Sequence, residues 1–184
     1  SCLQFLKQGW KIHGFEPDDK NRSIFIKRLN QCTDDQKGNL LLRTVGCSNE
    51  NQQNVPFYSS EVSSGISGLS SFHDSHTHSQ SISLVTLKDH LLEYPLPHIS
   101  FLKIDTEGHD LFVLQGFPWD KHRPRVIECE YENSKTIPLG YDLEDLCKYL
   151  ADKNYVIYIS EWHPICEYGQ RHQSVSYTHL TLPT

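Results

Sequence analysis

Residues 99–110 read Ile99-Ser100-Phe101-Leu102-Lys103-Ile104-Asp105-Thr106-Glu107-Gly108-His109-Asp110, and the fold turns on them. The first half is a short, nearly continuous apolar run, the pattern of a strand buried on both faces of a parallel sheet. The second half is a polar turn that leads into Leu111, Phe112, Val113 and Leu114, with Gly116 as a stop signal, so a helix is expected directly after the strand. A strand running into a helix in this way is one unit of an α/β fold. In such folds ligands bind in the crevice at the carboxyl ends of the strands.

The same alternation extends outward in both directions. Downstream, Arg125-Val126-Ile127-Glu128-Cys129-Glu130 reads as the next strand. A helix is predicted over residues 141–154, with Leu143, Leu146, Cys147 and Leu150 at helical spacing. Residues 155–160 read as a further strand and 162–168 as a last one. Upstream, Leu3, Phe5 and Leu6 with Gly9 behind them describe a helix already under way at Ser1. Lys11-Ile12-His13-Gly14-Phe15 is a strand stopped by Pro17, which cannot continue a ladder. A helix follows over residues 18–30, opened by Asp18 and Asp19, with Ile24, Phe25, Ile26 and Leu29 as its apolar set. Residues 39–45 form a strand, 46–54 a polar turn, and Val55-Pro56-Phe57-Tyr58 an edge piece. Residues 59–83 read as a long Ser/Gly/His-rich loop, before strand character returns at 82–87 and a helical turn at 88–93. Strands alternating with helices predict an α/β protein with a mostly parallel sheet covered by helices on both faces.

Composition narrows the function classes. A chain of 184 residues suits one domain, and 37% hydrophobic residues with a mean hydropathy of -0.52 describe a water-facing surface around a modest core. No apolar run approaches the ~20 residues of a membrane span. A net charge of -6 with both signs interspersed carries no footprint for a nucleic-acid backbone. The six cysteines have no C-x-x-C pair, which argues against zinc ribbons and redox dithiols and for reduced thiols in a cytoplasmic protein.

Three strand ends carry acidic residues. Glu16 follows the strand that ends at Phe15, where a carboxylate can accept from both hydroxyls of a ribose or cap the helix behind it. Asp105, Glu107 and His109 crowd one strand-to-helix turn, an arrangement suited to a base or to cation binding. Glu128, Glu130 and Glu132 alternate onto one side of the next strand, so at least the last should face the open crevice, with Glu130 and Glu132 as candidate substrate contacts. His73-Asp74-Ser75-His76-Thr77-His78 has spacing possible for zinc, but a local cluster in a Ser-rich loop reads as solvated polar sequence, so no metal site is assigned.

Taken in order, Gly14-Phe15-Glu16-Pro17, Val85-Thr86-Leu87, Leu102-Lys103-Ile104-Asp105-Thr106-Glu107-Gly108-His109-Asp110 with Val113-Leu114-Gln115-Gly116, and Arg123-Pro124-Arg125-Val126-Ile127-Glu128 resemble the FkbM family of S-adenosylmethionine-dependent methyltransferases. The K-I-D-x-E-G-x-[DE] string is the most specific part. Lys88-Asp89 stands where the family has its acid directly after Thr86-Leu87. The resemblance implies a Rossmann-like class I methyltransferase sheet over residues 1–173 whose first strand and glycine-rich cofactor loop would precede Ser1. The stretch by itself would then bind cofactor poorly and be inactive. Residues 174–184 resemble translated adapter read-through and are expected to be a non-native tail. The resemblance also implies S-adenosyl-L-methionine as cofactor, with Glu16 on its ribose, Phe15, Val45 and Gly46 lining its nucleoside, and Asp105 near it. Asp105, Glu107 and His109 would lie by the methyl group. The acceptor would be a small molecule or glycan hydroxyl, with a fused or neighbouring glycosyltransferase as partner. A nicotinamide-dependent Rossmann enzyme and a non-catalytic glycan- or nucleotide-binding module are the rival readings.

Overall fold

The computed structural model describes residues 2–60, 68–69, 76–160 and 178–180. The chain divides into two compact units, residues 1–130 and 131–184. The first begins with helix α1 (Cys2–Lys7), strand β1 (Ile12–Phe15), helices α2 (Asp19–Leu29) and α3 (Asp34–Gly38), and strand β2 (Leu40–Arg43). It continues through β3 (Gly46–Cys47), β4 (Gln52–Ser60), β5 (His76–Val85), α4 (Leu87–Glu93), β6 (Phe101–Ile104), α5 (Asp110–Gln115) and β7 (Val126–Cys129). The α/β alternation is therefore as expected.

Local chemistry explains the helix boundaries. Gly9 takes φ 82, the left-handed conformation that ends α1 without a Cβ penalty. Asp18 starts α2 by accepting from the amides of Lys20 and Asn21. Thr33 and Gln36 form a reciprocal capping box on α3, and Thr86 caps α4 through the Asp89 amide. Burial is concentrated on α4 and α5, which hide Leu87, Leu91, Leu111, Val113 and Leu114, and on a cluster of Phe57, Ile82 and Leu84. Leu6 of α1 is fully buried, and the Phe5 ring lies 5.6 Å from that of Phe101, so α1 rests beside β6.

β1 pairs with β2 and β6 with β7, both parallel, while β3, β5 and β4 form a mixed sheet in the order β3-β5-β4. The described strands thus fall into separate sheets. Apolar patterning says that a segment is a strand, but backbone pairing decides which strands share a sheet, and the pattern does not carry that information.

Four expectations change in the first unit. Strand β5 runs through the second half of the Ser/His-rich stretch read as loop, because it pairs antiparallel with β4 from Gln52↔Leu84 to Ser60↔His76. Of the candidate zinc cluster, residues 73–75 lie outside the described residues and His76 and His78 lie in this strand. Helix α2 buries none of its apolar set; Ile24 and Ile26 stand about 200° apart around the helix and cannot share one face. The polar turn at 46–54 contains β3, whose two residues are buried. Finally, β7 ends at Cys129 and its outer positions are exposed, Val126 at 55%. The strand is not buried on both faces, so Glu128 meets solvent without cost.

The second unit holds α6 (Asn133–Thr136), a 3-10 turn (Ile137–Leu139), α7 (Leu143–Ala151), β8 (Tyr158–Ser160) and β9 (Thr178–Leu180). Helix α7 is amphipathic as predicted: Leu146 and Leu150 are buried, and an Asp142–Asp145 capping box opens it. Glu132 is not a strand residue. It is the N-cap of α6, and its carboxylate sits 2.7 Å from the Lys135 ammonium. Thr178–Leu180 pairs antiparallel with Tyr158–Ser160, and residues 162–168 lie outside the described residues. Among the described residues no helix is long and apolar enough to cross a membrane, and Cys2, Cys32, Cys47, Cys129 and Cys147 are free thiols.

Candidate functional site

Parallel pairing builds the site. β6 and β7 run in register from Phe101↔Val126 to Ile104↔Cys129, which sets their carboxyl ends side by side. The next residues, Asp105 and Glu130, become neighbours in space although far apart in sequence. Glu107 joins them because the turn after β6 folds back, with φ 55 at Glu107 and φ 97 at Gly108. One carboxylate oxygen from each of Asp105, Glu107 and Glu130 lies within 4.8 Å of the other two. Like charges this close favour a cation or hydrogen-bond donors among them. A set of oxygen donors is also what a hard divalent cation takes. Lys103 reaches the rim, 3.5 Å from Asp105 and 2.7 Å from Glu128.

Asp110 was legible as the last acid of the motif but carried no assigned role. It is fully buried. Its Oδ2 accepts from the Thr106 amide at 3.0 Å and from the Thr106 hydroxyl, and its Oδ1 accepts from the Glu130 amide at 2.9 Å. Burial pushes its carboxyl up, and these hydrogen bonds oppose the shift.

His109 stands apart from the three carboxylates in its contacts. Its Nε2 lies 3.0 Å from the buried Ser48 hydroxyl, and its ring stacks on Phe112 at 4.4 Å. The Ser48 hydroxyl also donates to Asn49 Oδ1 at 3.1 Å, so Nε2–H is the donor that fits and Nδ1 is left as a buried acceptor without a hydrogen bond. Burial lowers the imidazole to about 4. The structure thereby links the turn carrying the acidic group to Ser48, two residues beyond Gly46, which is expected to line the nucleoside.

At the end of β1, Glu16 Oε1 accepts from the Asp18 amide at 2.9 Å, and burial raises the carboxyl against that bond. Glu16 therefore performs a local capping task, whatever else it binds. The Phe15 ring packs edge-on against His90 at 4.6 Å. Val45 is half-buried, and Gly46 sits so close to the core that a Cβ would meet Leu84 Cδ2 at 2.7 Å.

A second histidine group escaped sequence reading because its members are distant in the chain. His90, 3% exposed, places Nε2 2.9 Å from His13 Nδ1, and its own Nδ1 is buried without a hydrogen bond. Burial first, then the charges of His13 and Arg43, lower His90 to about 4; His13 is lowered chiefly by burial. Arg43 lies over the Tyr94 ring at 4.9 Å and reaches Glu93 at 3.2 Å.

Neither a curated protein nor a solved structure matches the chain. Residues 1–157, most of its length, match the family described as the methyltransferase FkbM domain; the chain belongs to that family and is a methyltransferase.

Proposed function

We propose that this methyltransferase draws its methyl group from S-adenosylmethionine and delivers it to a hydroxyl of a sugar, glycan or related small molecule. The observation that carries the reading is the meeting of Asp105, Glu107 and Glu130 where two parallel strands end. The donor set fits the cofactor: three carboxylates favour a positively charged sulfonium, and the half-buried Glu16 carboxylate offers acceptors to a ribose diol. Bound there, S-adenosylmethionine supplies an electrophilic methyl group. Asp105, Glu107 and Glu130 orient the acceptor hydroxyl, and Asp105, Glu107 or His109 takes its proton as the methyl passes to the oxygen and the neutral thioether departs. Such positioning and base catalysis contribute roughly 10²–10⁴-fold for the proton alone.

The same reading joins the two parallel strand pairs into one Rossmann-like sheet within a domain reaching residue 173. It places the protein in the cytoplasm, beside or fused to a glycosyltransferase. The test is calorimetric titration of S-adenosylmethionine into the folded protein as its gene encodes it, followed by transfer of a radiolabelled methyl group to a panel of sugars. Saturable binding with transfer, abolished in folded Asp105→Ala or Glu107→Ala, is the expected result. Binding without transfer across the panel favours a recognition module instead. No binding by the folded full-length protein removes the cofactor.

A further inference from the structure

Among the described residues, Asp110 is the fully buried carboxylate, it touches both loops of the site, and the mechanism above does not use it. Its two oxygens divide the work. Oδ2 holds the turn after β6 through the amide and hydroxyl of Thr106, and Oδ1 holds the first residue after β7 through the Glu130 amide. Asp105 and Glu107 flank Thr106, so one side chain ties together the two segments that bear the three crevice carboxylates. The turn it grips is strained: Glu107 occupies the left-handed region at φ 55 without being glycine. Such a conformation persists only where its surroundings over-determine it. Carboxylates that repel one another need the same restraint to stay within 4.8 Å.

We infer that Asp110 is a positioning residue: it assembles the Asp105–Glu107–Glu130 group by bridging the ends of β6 and β7, and through that group sets the preference for a positively charged methyl donor. The role rests on the cofactor reading above. Asparagine at this position keeps one acceptor oxygen and turns the other into an amide donor, so it can accept from the backbone amide of one loop but not of both.

The experiment uses the full-length protein in three forms: wild type, Asp110→Asn and Thr106→Val. The valine variant removes the hydroxyl without altering charge or shape much, and so stands in if Asp110→Asn does not fold. Two quantities are read: hydrogen exchange of the Thr106 and Glu130 amides, and calorimetric affinity for S-adenosylmethionine against S-adenosylhomocysteine, its neutral counterpart. In Asp110→Asn, exchange should rise about tenfold or more at Glu130 or Thr106, as loss of a charge-assisted hydrogen bond implies. The affinity ratio of cationic to neutral ligand should fall by a similar factor. Thr106→Val should move both in the same direction by less, although no charge has been removed. Faster exchange with an unchanged ligand ratio in both variants overturns the role and leaves Asp110 as a folding residue. If the folded wild type binds neither ligand, the cofactor reading fails first and this role falls with it, a result distinct from an unchanged ratio.

Discussion

The motif sets His109 by the methyl group, whereas its imidazole hydrogen-bonds Ser48. The two roles separate by mutation. Ser48→Ala removes the acceptor for a buried imidazole N–H and should destabilise the protein by about 1–3 kcal/mol in urea denaturation, with turnover per folded molecule preserved. His109→Gln keeps a donor near Ser48 but cannot act as a base. If it lowers turnover by ~10²-fold or more at unchanged stability, the imidazole takes part in chemistry; if it behaves like Ser48→Ala, the ring only pins α5 to the end of β3. Cys47 and Cys129 belong at this scale too. Burial pushes both thiols to about 12, so neither should react with a thiol reagent in the folded protein at neutral pH.

Between elements, the α5 C-terminus packs closely on the segment after β3. A Cβ on Gly116 would lie 2.1 Å from the Ser48 carbonyl oxygen, a backbone atom that cannot swing aside. The Lys88 amide bonds the Gly116 carbonyl at 2.9 Å and fixes the other side of the same residue. Gly116→Ala should therefore push the 48–49 backbone away, destabilising the protein by roughly 1–3 kcal/mol or more as overpacking does. The shift in denaturation midpoint measures it, and a loss below 0.5 kcal/mol would mean that the backbone yields more easily than close packing allows. This contact explains the glycine of the V-L-Q-G segment as a packing requirement.

At the scale of the molecule, three imidazoles among the described residues lower stability in acid. His13, His90 and His109 all have lowered pKa values in the folded state, His90 and His109 to about 4. The unfolded chain takes up these protons near pH ~6.5, whereas the folded protein takes them up at lower pH, near 4 at His90 and His109. Stability should be full above about pH 6.5 and decline as pH falls toward 4. Glu16 and Asp110, whose carboxyls are raised by burial, act in the opposite sense within the carboxylate range and blunt the lower part of that decline. Denaturation midpoints across pH 4–8 test the sign, and His90→Asn should flatten the slope. A midpoint that does not change between pH 7 and 4.5 contradicts the buried neutral histidines.

Residue order was sufficient for the α/β class, for most element positions and for the turn at 105–109, because strand and helix periods, caps and stop residues are written locally along the chain. It was also sufficient for the family, whose motif is contiguous. The sequence could not show that Glu130 would join Asp105 and Glu107 while Glu132 capped a helix, since that depends on where β7 stops and on its register with β6. Nor could it reveal that Asp110 bridges two loops, that His13 meets His90, or that β5 extends into a stretch of serine and histidine. Each of these rests on hydrogen bonds between groups distant in the chain, and such bonds leave no periodic trace. They exist because burial strips water from polar groups and the folded chain must supply the missing partners.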